Sequence, residues 1–118
     1  MATYSRETLR LRVLGRLGVA NGEAAPDAGD AQLVDEAIQL TFEELDDEGL
    51  IPFDWESDEI PAAYVIPLSF IVAAPLVVDF GCFEREQSIH AGADRGMRKL
   101  HKLRAQPHFG TPQQATYY

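Results

Sequence analysis

Residues 60–78 carry no charged side chain, in a chain of only 118 residues. A run of that length has to be hidden from water, by a membrane or by the rest of the domain. It contains Pro61, Pro67 and Pro75, together with Tyr64 and Ser69. Its flanks are acidic (Asp58, Glu59, Asp79), and no Lys or Arg stands close enough to set an orientation across a bilayer. The reading is therefore the central core helix of a small helical domain, with no membrane partner. The spacing predicts this helix over roughly Glu59 to Phe80, capped by Ser57 or Asp58 and ended by Gly81. Pro61 falls in the first turn, where proline is tolerated, whereas Pro67 and Pro75 are interior and should each kink or interrupt it.

Three further helices surround it. The first is predicted from Ser5 or Arg6 to Leu17, with Leu9, Val13, Leu14 and Leu17 on one face and Gly18 as its stop. A polar loop with Gly and Pro fills residues 20–30. The second helix is expected from near Asp30 to near Glu48, with Val34, Ile38, Phe42 and Leu45 as its stripe, widened by Leu33, Ala37 and Leu40. Residues 50–58 read as an irregular loop, too apolar at Leu50, Ile51, Phe53 and Trp55 to be freely solvated. The fourth helix is expected over about Phe83 to Arg104, with Ile89, Ala93, Met97, Leu100 and Leu103 facing the core. Gly92 and Gly96 cost it about 1 kcal/mol each relative to Ala, but let another helix approach closely. Strand signals are weak. The expected class is all-α: a bundle of about four helices over residues 1–105, followed by an extended tail over 106–118.

Charge is sharply segregated. Ten Lys and Arg face nineteen Asp and Glu, a formal net charge of −9. No Lys or Arg occurs between Arg16 and Arg85, and sixteen of the acids lie in residues 17–84. A net acidic chain does not suit nonspecific duplex binding, which depends on displacing counterions with basic groups. The segregation admits two readings. Bases of the first and fourth helices pair with the second helix inside one chain, or they face acids of a neighbouring copy in a head-to-tail contact. Asp46, Asp47 and Glu48 oppose the dipole of their own helix end, which a sequence tuned only for stability would avoid.

Motifs for chemistry are missing. There is no phosphate loop, dinucleotide fingerprint, HExxH or calcium loop. His90 and His101 are three helical turns apart, about 16 Å, too far to share one ion. Cys82 reads as a small buried hydrophobe, with no partner to activate it. Asp79 closes the apolar run, where a cap or local hydrogen bond is its expected role. No catalytic residue, metal or cofactor is therefore expected. The chain is charged by residue 6, so no secretory signal is expected and the cytoplasm is the expected compartment before any assembly.

In the order and spacing of its helices the sequence resembles the head-to-tail adaptor proteins of tailed bacteriophages, closest to the tail accessory factor family of short-tailed phages. The resemblance is carried by Leu11-Arg12-Val13-Leu14-Gly15-Arg16-Leu17-Gly18-Val19 and by the acidic Leu33-Val34-Asp35-Glu36-Ala37-Ile38 running to Glu44-Leu45-Asp46-Asp47-Glu48-Gly49-Leu50-Ile51. It continues in Ala73-Ala74-Pro75-Leu76-Val77-Val78-Asp79-Phe80-Gly81 and in the basic Gly96-Met97-Arg98-Lys99-Leu100. The chain differs from that family in its short tail and in the prolines of its third helix. The resemblance implies a virion protein of the neck: a ring, typically of twelve copies, beneath the portal protein ring. Such a ring extends the DNA channel and receives tail or nozzle proteins on its other face, without catalysis. On that basis Pro107, Phe109, Pro112, Gln113, Gln114, Tyr117 and Tyr118 are expected to bind the portal. Arg6, Arg10, Arg12, Arg95, Arg98, Lys99 and Lys102, with Phe53 and Trp55, are expected between subunits. Glu23, Asp46, Asp47 and Glu48 are expected to line the channel, so that packaged DNA passes without specific binding. The alternative is a small acidic regulator or inhibitor, a DNA-charge mimic or antitoxin-like protein.

Overall fold

A computed structural model of the chain describes residues 2–19 and 27–105. The expected tail and Glu23 lie outside the described residues. The architecture is an all-α bundle of four long helices. α1 spans Arg6–Leu17, α2 Ala28–Asp47, α3 Ala62–Ala73 and α5 Glu86–Ala105, with a single-turn α4 at Val77–Phe80. Two-residue strands β1 (Thr3–Tyr4) and β2 (Ile60–Pro61) pair antiparallel, Thr3 with Pro61 and Tyr4 with Ile60.

Each helix end has a local cause. The Ser5 hydroxyl accepts from the Thr8 amide at 3.2 Å and starts α1. Gly18, at φ 77°, ends it in the left-handed region that favours glycine. α2 begins two residues earlier than its periodicity suggests, because the Asp27 carboxylate, rather than Asp30, accepts from the amides of Gly29 and Asp30 at 3.0 and 3.3 Å. At its other end the three acids are partly offset: Arg104 of α5 donates to the Glu48 carbonyl at 3.0 Å and brings a cation to the negative end of the helix.

The third helix starts later than expected. Ile60 and Pro61 are extended because β1 supplies them a ladder partner, and the Ala62 amide donates to the Ala2 carbonyl at 3.2 Å. α3 then continues through Pro67 rather than stopping there. The proline removes the donor for the Ala63 carbonyl, and Ala63 is exposed. Pro75 does interrupt: residues Ala74–Leu76 tighten into a 3-10 turn before α4. A second such turn, Phe83–Arg85, replaces the predicted first turn of the last helix.

α3 is the hub, packing on α5, α1 and, less extensively, α2. Leu68, Val72 and Ala73 are fully buried, alongside Leu9, Val13, Val34, Phe42 and Leu100 from its neighbours. The α3–α5 approach depends on Gly92 and Gly96. A Cβ on Gly92 would lie 2.3 Å from the Phe70 ring, and one on Gly96 would lie 2.9 Å from the Pro67 carbonyl oxygen. Ser69 is fully buried within this packing, yet its hydroxyl donates to the Ile66 carbonyl at 2.7 Å and accepts from Arg16 Nε at 3.2 Å. Residues 62–80 are apolar and long enough to meet the length and composition of a membrane-crossing helix. In the fold this stretch is bent by the Ala74–Leu76 turn and supplies the centre of the core.

Candidate interaction surfaces

The loop over residues 50–58 packs on its own domain. Leu50 and Ile51 are buried in the core. Phe53 leans on Tyr64 with ring centroids 4.8 Å apart, and Trp55 meets Phe42 edge-on at 5.8 Å. Phe53 and Trp55 are thus half-buried against their own chain. The cause is α2, whose Phe42 offers an aromatic edge that the loop can reach as it returns to α3.

Two of the expected interface bases are likewise used internally. The Arg6 guanidinium sits 5.1 Å from the Phe42 ring centroid and 5.8 Å from that of Trp55. It donates to Gln39 Oε1 at 2.8 Å and to the Trp55 carbonyl at 3.3 Å. Arg10 holds the Asp35 carboxylate at 2.9 Å. These two therefore join α1 to α2 and to the following loop within the chain. Arg12, Arg95, Arg98, Lys99 and Lys102 are exposed and have no carboxylate partner among the described residues.

Arg16, which the sequence marks only as one of the surface bases of the first helix, is instead partly buried. Its guanidinium carbon lies 4.1 Å from the Phe70 ring centroid while Nε reaches Ser69. Burial pushes its pKa down, and the neighbouring Arg12 charge pushes the same way. Arg85 lies against Gly18 and donates to the Arg16 carbonyl at 3.4 Å. α1, α3 and α5 are thereby pinned together at Phe70, which has Gly92 on one side and Arg16 stacked on it. No local sequence pattern could have announced this, because its members come from three helices.

Two surface concavities differ in charge. A groove of about 540 Å³ between α3 and α5 has Ala63, Ile66, Pro67 and Phe70 along its wall and Arg95 and Lys99 at its rim. A smaller one, about 370 Å³, lies between α2 and the Pro75–Asp79 segment. Leu33, Leu40 and Leu76 give it an apolar centre, and Glu36, Glu44 and Asp79 surround them. Leu40 was expected to widen the buried stripe of α2; it is instead 66% exposed, because the helix packs through the narrower Val34–Ile38–Phe42–Leu45 line. Asp79 makes no side-chain hydrogen bond among the described residues, so the expected cap is not formed there.

Compared with protein-family models, curated proteins and solved structures, the chain matches none. What it can do must therefore be argued from its own surfaces.

The remaining expected positions divide simply. Asp46, Asp47 and Glu48 are all exposed at the C-terminal end of α2. The seven expected portal-binding residues, Pro107 to Tyr118, lie outside the described residues. His90 is exposed and lies 3.8 Å from the Glu86 carboxylate one turn before it. Cys82 is buried, with its sulfur 3.8 Å from the Val77 carbonyl.

Proposed function

We propose that this chain is a structural head-to-tail adaptor of a tailed phage or phage-like particle, forming a ring under the portal. One observation carries the reading beyond the resemblance of its helix order. Among the described residues a single Lys or Arg forms an ion pair with a carboxylate, Arg10 with Asp35. Arg12, Arg95, Arg98, Lys99 and Lys102 are exposed without a carboxylate partner among the described residues, which favours the head-to-tail alternative over internal pairing. Exposed pairs add only about 0–1 kcal/mol each, so they would set register and orientation more than adhesion.

In this reading the acids at the end of α2 face the channel. A wall of Asp46, Asp47 and Glu48 repels the DNA backbone and offers no site for counterion release, so packaged DNA passes without adhering. The tail beyond residue 105 reaches the portal. Phe109, Tyr117 and Tyr118 are anchors of the kind that dominate interfaces, and Pro107 and Pro112 lower the ordering cost of extended docking. The site of action is the neck of the virion, between the capsid portal and the tail.

The test is to mix the purified chain with rings of the cognate portal protein and examine them by negative-stain microscopy. Added density under the ring is expected, lost on deletion of residues 107–118 while circular dichroism stays helical. Undecorated portal rings would reject the adaptor reading. Tight binding of a monomer to a basic DNA-binding protein would favour an acidic inhibitor instead.

A further inference from the structure

The two concavities share no residue, and their characters are opposite. The α3–α5 groove has an apolar wall beneath two cations, and Ile66 in it is 55% exposed. The α2 patch has an apolar centre beneath three carboxylates, and Leu40 is its most exposed aliphatic. None of Arg95, Lys99, Glu44 or Asp79 has an ion-pair or hydrogen-bond partner among the described residues. Glu36 meets only the Gln32 amide, at 3.4 Å. Exposed aliphatics rimmed by unpaired charge of one sign mark contact surfaces, and here each surface supplies what the other lacks.

We propose that the α2 patch of one copy seats on the α3–α5 groove of the next, with Leu40 beside Ile66 and with Glu36, Glu44 and Asp79 facing Arg95 and Lys99. This deepens the ring reading above by naming the two faces that meet. The contact is heterologous: each copy offers one face of either kind, so it propagates head to tail and closes when the rotation permits. It also gives Gly92 and Gly96 a second consequence. By letting α5 sink towards α3, they set Arg95 and Lys99 over the apolar wall rather than away from it.

The experiment mixes two preparations of the full chain at millimolar concentration. One carries a nitroxide attached through Gln32→Cys, on α2 but outside the patch; the buried Cys82 is not a competing site. The other is isotope-labelled and observed by its amide resonances, which also report that it is folded. Ala63, Ile66 and Gly92 of the labelled copy are expected to broaden. Arg95→Glu with Lys99→Glu in the labelled copy should weaken the contact at least about tenfold, because like charges then face each other. Adding Glu36→Lys with Glu44→Lys to the nitroxide-bearing copy should restore the broadening. Absence of broadening, or broadening centred on residues outside the groove, would overturn the proposal. Broadening at the groove with undecorated portal rings would keep this contact and reject the adaptor reading. Decorated portal rings with an unperturbed groove would reject this contact alone.

Discussion

Gly92→Ala is the substitution whose effect the structure constrains most tightly. On an isolated helix, Gly to Ala is favourable by about 1 kcal/mol. At Gly92 the added methyl would lie 2.3 Å from the Phe70 ring, where an ordinary contact begins at 3.4 Å. The ring must therefore retreat by about an ångström, and Arg16 is stacked on it at 4.1 Å. Overpacking of this kind costs about 1–3 kcal/mol, and the lack of room for retreat places it at the upper end. Set against the helix gain, the net loss is about 2 kcal/mol. For a domain of this size that lowers the melting temperature by about 10 °C. Gly15→Ala is the control: it is a helix-interior glycine of α1 whose Cβ would meet nothing within 4 Å. It should stabilise by up to about 1 kcal/mol, raising the midpoint by roughly 4–8 °C. Thermal unfolding followed by circular dichroism measures both. Adding Phe70→Leu to Gly92→Ala should recover part of the loss, with a coupling of about 1 kcal/mol. Equal stabilisation by Gly92→Ala and Gly15→Ala would refute the close α3–α5 packing.

Three further outcomes follow from local contacts. Arg6→Met keeps the bulk but strands Gln39 Oε1 and the Trp55 carbonyl, so urea denaturation should show a loss of about 1–2 kcal/mol and the Trp55 emission should shift. Asp27→Ala removes the α2 cap and should cost about 1 kcal/mol in the same assay, with Asp27→Asn close to neutral. Burial raises the Tyr64 phenol above its ordinary 10.0, so the native state holds this proton more tightly than the unfolded chain. Its contribution is complete below that value and is lost as pH rises through the raised folded value. Tyr64→Phe should therefore flatten the decline of stability above pH 10.0 without altering stability at neutral pH.

The helices were legible because their information is local and repeated. Leu9, Val13 and Leu17, or Ile89, Met97 and Leu100, recur at the helical period, and burial follows from that alone. Gly18 marks a left-handed stop whatever surrounds it. The charge segregation was equally plain, since it is a property of order along the chain. The errors fell where a distant segment intervened. Leu40 shares the periodicity of its buried neighbours, but only packing against α1 and α3 determined how wide a stripe of α2 is covered. Phe53, Trp55 and Arg6 carried the residue types of an interface, and it took the fold to show that Arg6 and Trp55 meet over Phe42 while Phe53 packs on Tyr64.

The sequence by itself determined the all-α class, four helices with their core faces, an acidic middle between two basic ends, and a pair of glycines that invite a close neighbour. It could do so because backbone hydrogen bonding and side-chain periodicity act over a few residues. Only the tertiary structure decided which helix fills that invitation and that Thr3–Tyr4 extends Ile60–Pro61 out of the third helix. It likewise decided that Arg16 is held between Phe70 and Ser69, and that Arg95 and Lys99 overlook an apolar groove while Glu36, Glu44 and Asp79 surround Leu40. Each of those facts joins residues far apart in the chain. Their energies depend on distance in space, and no local pattern encodes it.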